Sequence, residues 1–267
     1  MPIKLLLLDL DDTLLGKDLE ISPANRAALA AAAAAGVGVT LASGRMFRSM
    51  RPYAETLDLA LPLITYNGAL ARPLSGPDLW HQPLANATAR ALLAELARYD
   101  VTVHLYLDDR LYVERLDERV LRYTANARVE AEPVGDLLSF LGEGEPTKML
   151  ALGAPECVAE LRQSLGGEFA DRAEITISKP TYLEIMAPGI SKAVALARLA
   201  AHLGLAQSET MAIGDGPNDL GMLAQAGLGV AVGNAPPEVL AKVEHVVAPS
   251  DRDGVAEAVR RFILDVI

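Results

Sequence analysis

The chain of 267 residues predicts an α/β fold with a doubly wound, Rossmann-like parallel sheet and an inserted α+β segment. Three observations predict it. Short apolar runs alternate with helical patterns up to residue 82, and the alternation returns from residue 189 onward. Between them, strand-like runs come in pairs with hairpin-type turns, which favours antiparallel pairing. We therefore expect one domain from residues 1–82 and 189–267, and a second from residues 83–188.

The first third of the chain has the pattern of a βαβαβ unit. Lys4–Leu8 is almost entirely apolar, as is typical of a strand buried on both faces. Ser22 and Pro23 suit the N-cap and first residue of a helix, and Gly36 suits its left-handed end. The next expected elements are a strand at Val37–Ala42, a helix at Phe47–Leu57 and a strand at Leu63–Tyr66.

The rest of the chain divides into the inserted segment and a return to the βα pattern. The insert is expected to form a helix at Ala87–Arg98 and strands at Val101–Leu107, Leu111–Val113, Lys148–Leu152, Ile175–Ser178 and Tyr182–Met186. After it we expect a helix capped by Ser191, strands at Met211–Ile213 and Leu228–Val232, and helices at Leu220–Ala226 and Val255–Val266.

The amino-acid composition disfavours several classes of function. A net charge of −11 disfavours binding to nucleic acid or to anionic membranes, and an aromatic content of 4% leaves few rings for base stacking. No apolar run approaches the roughly 20 residues of a membrane-spanning helix, and the N-terminus lacks a signal-peptide pattern. The single Cys157 excludes an internal disulfide. We expect a soluble, cytoplasmic protein.

The first chemical signal is the segment Asp9-Leu10-Asp11-Asp12-Thr13-Leu14, directly after the first predicted strand. Ligands of open α/β sheets bind outside the carboxyl ends of the strands, so Asp9 and Asp11 suit a metal ion or a reacting group there. An acidic turn is the structural alternative. A calcium loop is excluded because Leu14 stands where that loop needs glycine, and because a strand precedes it instead of a helix.

Three further signals lie at comparable places. Ser43-Gly44-Arg45 follows the second strand, where a hydroxyl and free amides can hold a phosphoryl oxygen, although Ser-Gly is also common in turns. Gly214-Asp215-Gly216-Pro217-Asn218-Asp219 follows a late strand and puts two acids and an amide on one tight loop. Lys192 stands one residue after a helix N-cap, where its charge opposes the helix dipole. Each of these signals alone is also common in surface turns and helix starts that have no catalytic or binding role.

Taken together, these residues resemble the haloacid dehalogenase superfamily. Asp9-x-Asp11-x-Thr13-Leu14, Ser43, Lys192 and Gly214-Asp215 with Asn218-Asp219 are similar to its four motifs, in order. Asn67-Gly68 and Gly189-Ile190-Ser191-Lys192 are similar to the Cof-type branch, which carries a large α/β cap (type IIB) between the second and third motifs. An acid at Asp11 implies phosphatase or phosphomutase chemistry, because the dehalogenases and ion-pumping ATPases of the superfamily lack it.

The resemblance implies a Mg²⁺-dependent phosphatase that acts on small phosphorylated metabolites. Asp9 is then the nucleophile and Asp11 the general acid and base. The metal set implied is Asp9, Asp11 through its backbone carbonyl, Asp215 and Asp219 in support. Phosphate or substrate contacts are implied for Ser43, Gly44, Arg45, Asn67, Gly68, Lys192 and Asn218. Within the cap, Lys179, Tyr182 and Glu184 are candidates for contacts to the leaving group.

Two alternatives stay open at this point: a phosphomutase of the phosphomannomutase type, and a non-catalytic sugar-phosphate sensor on the same fold. The sensor requires neither a nucleophile nor an acid, so the presence of both Asp9 and Asp11 weighs against it. Dinucleotide binding at Gly227-x-Gly229 is excluded, because a helix precedes these glycines and a strand follows them.

Overall fold

A computed structural model describes residues 2–266, and the chain divides into two compact units. The first comprises the residues up to Gly44, Met50–Leu79 and the residues from Ser191 onward. The second comprises Arg45–Ser49 and Trp80–Ile190. In the described part of the chain, no helix combines the length and the apolar character needed to cross a membrane.

Helices and strands follow one another along the chain in an α/β order. They are β1 (Leu5–Leu8), α1 (Pro23–Ala34), β2 (Gly38–Leu41), α2 (Phe47–Thr56), β3 (Leu63–Thr65), β4 (Leu70–Arg72), β5 (Trp80–His81), α3 (Asn86–Leu96), β6 (Thr102–Leu107), β7 (Arg110–Val113), α4 (Glu118–Ala127), β8 (Ala131–Pro133), α5 (Leu137–Leu141), β9 (Lys148–Leu152), α6 (Pro155–Glu168), β10 (Glu174–Lys179), β11 (Tyr182–Met186), α7 (Lys192–His202), β12 (Thr210–Gly214), α8 (Leu220–Gln225), β13 (Leu228–Val232), α9 (Pro237–Leu240), β14 (His245–Val247) and α10 (Gly254–Phe262).

The first unit is built on a parallel sheet with the strand order β14-β13-β12-β1-β2. Leu5–Leu8 is completely buried at its centre, as its apolar run predicts. From β1 the chain moves to one side, to β2, whereas from β12 it moves to the other, through β13 to β14. The switch point of the sheet therefore lies between β1 and β12, and the α/β class and parallel sheet are confirmed. Switch points are where such sheets bind ligands.

The residues at the two ends of α1 have the roles that the sequence predicts. The Ser22 hydroxyl accepts a hydrogen bond from the Asn25 N–H at 3.1 Å, which caps α1. Gly36 adopts a φ of 87° just beyond the helix end, a value that glycine reaches without strain.

Two predicted elements differ from the structure. The strand expected at Leu63–Tyr66 makes a single parallel bridge, from Ile64 to Ala42, and otherwise pairs antiparallel with β4. The reason is a reversal of the chain at 66–68, where three successive residues have positive φ. The last helix was expected to reach Val266, but α10 ends at Phe262 and a short 3₁₀ turn follows at Leu264–Val266.

The second unit contains a six-stranded sheet with the order β10-β11-β9-β6-β7-β8, in which β9, β6, β11, β10 and β7 pair antiparallel. One face packs against α3, α5 and α6 through a buried apolar core. Because side chains alternate along strands, the opposite face carries the polar residues of β6, β9 and β11. Residues 45–49 belong with this unit, since the Asp109 carboxylate accepts the N–H groups of Phe47 (2.9 Å) and Arg48 (3.0 Å).

Candidate active site

Asp9 occupies the first position after β1, at the switch point of the parallel sheet. Its backbone N–H donates to the Ile213 carbonyl oxygen of β12 at 2.9 Å, so the sheet fixes where its side chain starts. Asp9 is 5% exposed. A carboxylate this buried requires a compensating charge.

Lys192 supplies that charge. Its ammonium group is 1% exposed and donates hydrogen bonds to the carboxylates of Asp9 and of Asp219, the latter at 2.6 Å. The residue begins α7, whose N-cap Ser191 accepts the N–H of Val194 at 3.2 Å. A lysine at the first turn of a helix opposes the helix dipole, and its two carboxylate partners explain why it is tolerated here.

A glycine at position 68 lets another segment approach Lys192 closely. Gly68 has a φ of 111°, and a Cβ there would lie 2.7 Å from the Ser191 carbonyl oxygen and 3.0 Å from the Ala195 Cβ. Any larger residue would push the reversal at 66–68 away from the start of α7. The predicted Asn67-Gly68 signal thus has a packing reason.

The loop after β12 places Asp215 and Asp219 close to Asp9 and Lys192. One oxygen of Asp219 accepts the backbone N–H groups of Asp215 (3.0 Å) and Gly216 (2.8 Å), while the other receives Lys192. Gly214 permits this fold-back, since a Cβ there would lie 2.7 Å from atoms of the Asp219 side chain. Asp219 therefore holds the loop and the lysine with both of its oxygens.

The segment after Asp9 forms a tight turn over Leu10–Leu14, closed by the Leu15 N–H donating to the Leu10 carbonyl oxygen at 2.9 Å. It places Thr13 so that its hydroxyl donates to Asp215 at 2.8 Å, which links the loops after β1 and β12. Asp11 lies within this turn, half-buried and near enough to Asp9 for their charges to interact.

The pKa values of Asp9, Asp215 and Lys192 are shifted because these charged groups are buried close together. Burial raises the pKa of Asp9 well above its usual value; the carboxylates of Asp219, Asp215 and Asp11 add to the rise, whereas Lys192 opposes it. Burial also raises the pKa of Asp215 to about 6, against the hydrogen bond from Thr13. For Lys192, burial acts to lower the pKa, but the two carboxylates outweigh it and hold the pKa above its usual value.

Carboxylate oxygens of Asp9, Asp215 and Asp219 lie within 4.8 Å of one another. Such a set of hard oxygen donors fits a small divalent cation such as Mg²⁺, which takes carboxylate ligands and retains several waters. Repulsion from neighbouring carboxylates adds to the effect of burial in raising the pKa values of Asp9 and Asp215, and a bound cation would relieve that repulsion.

The remaining predicted phosphate contacts lie on the loops after β2, β3 and β12. Ser43 is 2% exposed and its carbonyl oxygen accepts the Asn67 N–H at 2.9 Å. The Asn67 side chain lies beside Gly44, where a Cβ would be 3.1 Å from its Oδ1, and the Asn218 amide approaches the same oxygen at 3.4 Å. These residues thus form a polar group within the first unit.

Arg45 belongs to the second unit. Its guanidinium donates to the Ser49 hydroxyl at 3.1 Å, and both Arg45 and Ser49 donate to the Ala127 carbonyl oxygen at the end of α4. Its contact with phosphate stays a prediction.

The three candidates of the inserted segment have different surroundings. Glu184 is buried and lies 3.4 Å from the ammonium of Lys148, which is equally buried. Tyr182 is half-buried, with its ring 5.9 Å from that of Tyr123. Lys179 is exposed and places its ammonium 5.6 Å from the Tyr182 ring centre.

The sequence did not single out the other polar residues of this face of the second sheet. Tyr106 donates to the Tyr123 hydroxyl at 2.7 Å. His104 is fully buried 4.6 Å from the Tyr123 ring, and burial lowers its pKa to about 3, so it is neutral. Burial likewise raises the pKa of Tyr123. His104 and Tyr106 alternate along β6 on the side opposite the apolar core face, and this alternation was the available signal, whereas Tyr123 lies on α4.

Comparisons with known proteins agree on one family. Residues 6–259 match a family model described as haloacid dehalogenase-like hydrolase. An HMP-PP phosphatase of Cronobacter sakazakii is 30% identical over 257 residues, covering 96% of this chain and 94% of that protein. A 5-amino-6-(5-phospho-D-ribitylamino)uracil phosphatase of Bacillus subtilis is 32% identical over 272 residues, covering 98% and 96%.

Solved structures are similar over the same length. A haloacid dehalogenase-like hydrolase from Bacteroides thetaiotaomicron has a TM-score of 0.89 at 30% identity, covering 97% of this chain and 99% of that one. A sugar phosphatase described as HAD subclass IIB has a TM-score of 0.85 at 26% identity, covering 97% and 98%.

The raised pKa of Asp215 makes a prediction about stability. Between about pH 4 and 6 the Asp215 carboxyl of the folded protein retains a proton that the unfolded chain has lost, so the contribution of Asp215 to the free energy of unfolding falls as the pH rises through this window. Asp215→Asn removes the effect. We expect the free energy of unfolding of Asp215→Asn minus that of wild type, both in chelator, to rise by about 1–3 kcal/mol from about pH 4.5 to about pH 7.5. Denaturant unfolding of both proteins at these two pH values measures the difference. No rise, or a fall, would contradict the raised pKa of Asp215.

Proposed function

The chain belongs to the haloacid dehalogenase-like hydrolases, and from this premise we propose that it is a Mg²⁺-dependent phosphatase of small phosphorylated metabolites. The observation that carries the proposal is the buried Asp9 at the sheet's switch point, paired with Lys192 and joined by a second acid, Asp11, two residues on. Relatives of nearly equal length that are named as phosphatases support the hydrolytic reaction.

Asp9 is the nucleophile. Its carboxylate attacks phosphorus, the bond between phosphorus and the ester oxygen breaks, and an aspartyl phosphate forms. Asp11 gives its proton to the departing oxygen, so the leaving group departs as an alcohol. Water then attacks the phosphorus of the aspartyl phosphate while Asp11 takes up the water's proton, which frees Asp9 and inorganic phosphate.

Lys192 keeps the nucleophile ready. A carboxylate attacks only when ionised, and burial together with three neighbouring acids favours its protonated form. The ammonium of Lys192 opposes this by its direct hydrogen bond to Asp9. In the same position it stabilises negative charge as it spreads over the phosphoryl oxygens. This local cation allows a protein of net charge −11 to accept a dianionic substrate.

The metal ion would be held by Asp9, Asp215 and the Asp11 backbone carbonyl, with Asp219 in support. When bound, Mg²⁺ supplies positive charge that offsets repulsion between the acids and the phosphate. Asp219 already uses both oxygens for Lys192 and for backbone N–H groups, so we assign it to holding these partners in place.

Phosphoryl oxygens would meet polar groups of the neighbouring loops. We propose that the Ser43 hydroxyl and the backbone at Gly44 and Gly68 donate to them, with the side-chain amides of Asn67 and Asn218 at the edge of this group. Arg45, which follows directly in the chain, is retained as a substrate contact.

Recognition of the leaving group is assigned to the second unit, residues 83–188 in the sequence prediction. The loops of the first unit offer groups for phosphate, which every ester shares, so discrimination requires other residues. Glu184, with Lys148 beside it, and the half-buried Tyr182 offer charge, hydrogen bonds and a ring face. The relatives' names, which include a ribitylamino-uracil phosphate, indicate small polar organic groups as the substrate class.

Asp9→Asn tests the nucleophile. The variant should release phosphate from an aryl phosphate at a rate lower by about 10³-fold or more, because the amide cannot attack. Circular dichroism should show an unchanged fold. Asp58→Asn, the same change at an exposed carboxylate of the first unit, is the matched control and should keep wild-type activity. Wild-type turnover by Asp9→Asn would exclude the mechanism.

Metal dependence is tested by removing and replacing the ion. Excess chelator should abolish phosphate release, and Mg²⁺ should restore it, because the clustered acids otherwise repel the substrate. Mn²⁺ and Co²⁺ should substitute, whereas Ca²⁺, which prefers a larger and looser shell, should inhibit. Full activity in chelator would contradict the assignment.

Glu184→Gln tests the second unit. Across a panel of phosphorylated metabolites, the ratios of kcat/KM should shift by about tenfold or more, while turnover of an aryl phosphate changes little. Glu174→Gln, on β10 of the same sheet, is the matched control. Unchanged ratios in a folded Glu184→Gln variant would remove this residue from the specificity assignment.

A further inference from the structure

An exposed asparagine outside all the motifs contacts the turn that carries Asp11. Asn234 follows β13, and its side-chain amide donates to the Asp12 carbonyl oxygen at 2.7 Å. Its side-chain oxygen accepts the Ser250 N–H, also at 2.7 Å. One side chain thus joins the turn after β1 to the connection between β14 and α10.

The turn needs such a contact because of its backbone. Asp12 has a φ of 58° and a ψ of 4°, near the left-handed region, which is unfavourable for most L-residues and which aspartate and asparagine enter more readily than others. The Asp12 residue is exposed, so burial contributes little to holding this conformation. The hydrogen bond from the Asn234 amide to the Asp12 carbonyl oxygen is a direct contact that holds it.

Asp12 directly follows Asp11, so the φ of Asp12, together with the ψ of Asp11, sets the plane of the peptide that carries the Asp11 carbonyl, and the ψ of Asp12 sets the direction in which the chain continues to Thr13. Asp11 itself is extended, with φ −76° and ψ 132°. If Asp12 relaxed to negative φ, the peptide between Asp11 and Asp12 would rotate and the Thr13 hydroxyl would leave Asp215. Both changes would move the general acid relative to Asp9.

A second contact holds the far end of the same segment. The hydroxyl of Ser22, at the start of α1, donates to the Asp253 carboxylate, which belongs to the connection that Asn234 also contacts through Ser250. Residues 12–22 are therefore fixed at both ends to the region between β13 and α10. The Leu15–Ile21 bridge closes the segment between these points.

We propose that Asn234 is a positioning residue that holds Asp11 in line with Asp9 by fixing the left-handed Asp12; the assignment rests on the proposed function. The amide donor is what acts on the turn, whereas the side-chain oxygen only anchors the β14–α10 connection. Asn234 is exposed, so its loss should affect alignment of the general acid more than the stability of the fold.

Two variants separate these roles. Asn234→Asp keeps the acceptor for Ser250 but replaces the donor with an oxygen that repels the Asp12 carbonyl, and Asn234→Ala removes both. Asn86→Ala is the matched control, because the Asn86 amide also donates to backbone carbonyls, those of Gly142 (3.0 Å) and Gly144 (2.6 Å), in the second unit. For each protein we would measure kcat and KM with an alkyl phosphate, whose leaving group needs a proton from the general acid, and hydrogen exchange at the Leu15 N–H, which closes the turn.

Both Asn234 variants should lose about 10- to 100-fold in kcat, with KM within about threefold of wild type and faster exchange at Leu15. Asn86→Ala should match wild type in both readouts. Wild-type kcat in Asn234→Asp, or unchanged exchange at Leu15, would overturn the proposal. If wild type itself released no phosphate, the proposed function would fail, and exchange at Leu15 alone would decide whether Asn234 holds the turn.

Discussion

A single buried ammonium group makes the rest of this site possible. Asp9 and Asp219 are each at most 5% exposed, and burying two carboxylates so close together is unfavourable without a cation. Lys192 donates to both, and Asp219 in turn holds the Asp215 loop by two backbone N–H groups. Removing one partner of such a group leaves uncompensated buried charge, which typically costs about 3–5 kcal/mol. The charge balance of the site, the shape of the Asp215 loop and the position of the Asp9 carboxylate thus depend on one side chain.

The sheet brings these charges together before any ligand is bound. Asp9 follows β1 and Asp215 follows β12, adjacent strands on either side of the switch point. Two glycines allow the loops to approach closely. The absence of a Cβ at Gly68 leaves room for the start of α7, and its absence at Gly214 leaves room for the Asp219 side chain. The carboxylates of the site therefore repel one another in the folded protein, and this repulsion favours binding of a divalent cation. That preference is the physical basis for expecting metal dependence.

One rule, that a polar residue follows an apolar strand, placed Asp9, Ser43 and Asp215 after strands of the parallel sheet, and the structure has them there, while their roles stay predictions. The buried Leu5–Leu8 strand was evident from its apolar run. The rule did not anticipate that β3 pairs antiparallel, because three successive positive φ values at 66–68 leave little trace beyond one Asn-Gly pair. Asn234 also follows a strand, yet its contacts depend on which distant backbone atoms lie beside it. The contact of Lys148 with Glu184 depends on the register of β9 against β11, which the sequence does not give.

The proposed covalent step on Asp9 is tested most directly by finding the phosphoryl group on the protein. In Asp11→Asn, an aryl phosphate needs no acid to lose its leaving group, but water lacks its base, so the intermediate should accumulate. We would quench the reaction in acid, digest the protein and locate the phosphate by mass spectrometry. Phosphate on Asp9 is the expected result. Phosphate on a different residue, or product release with no labelled protein at any time, would contradict nucleophilic attack by Asp9.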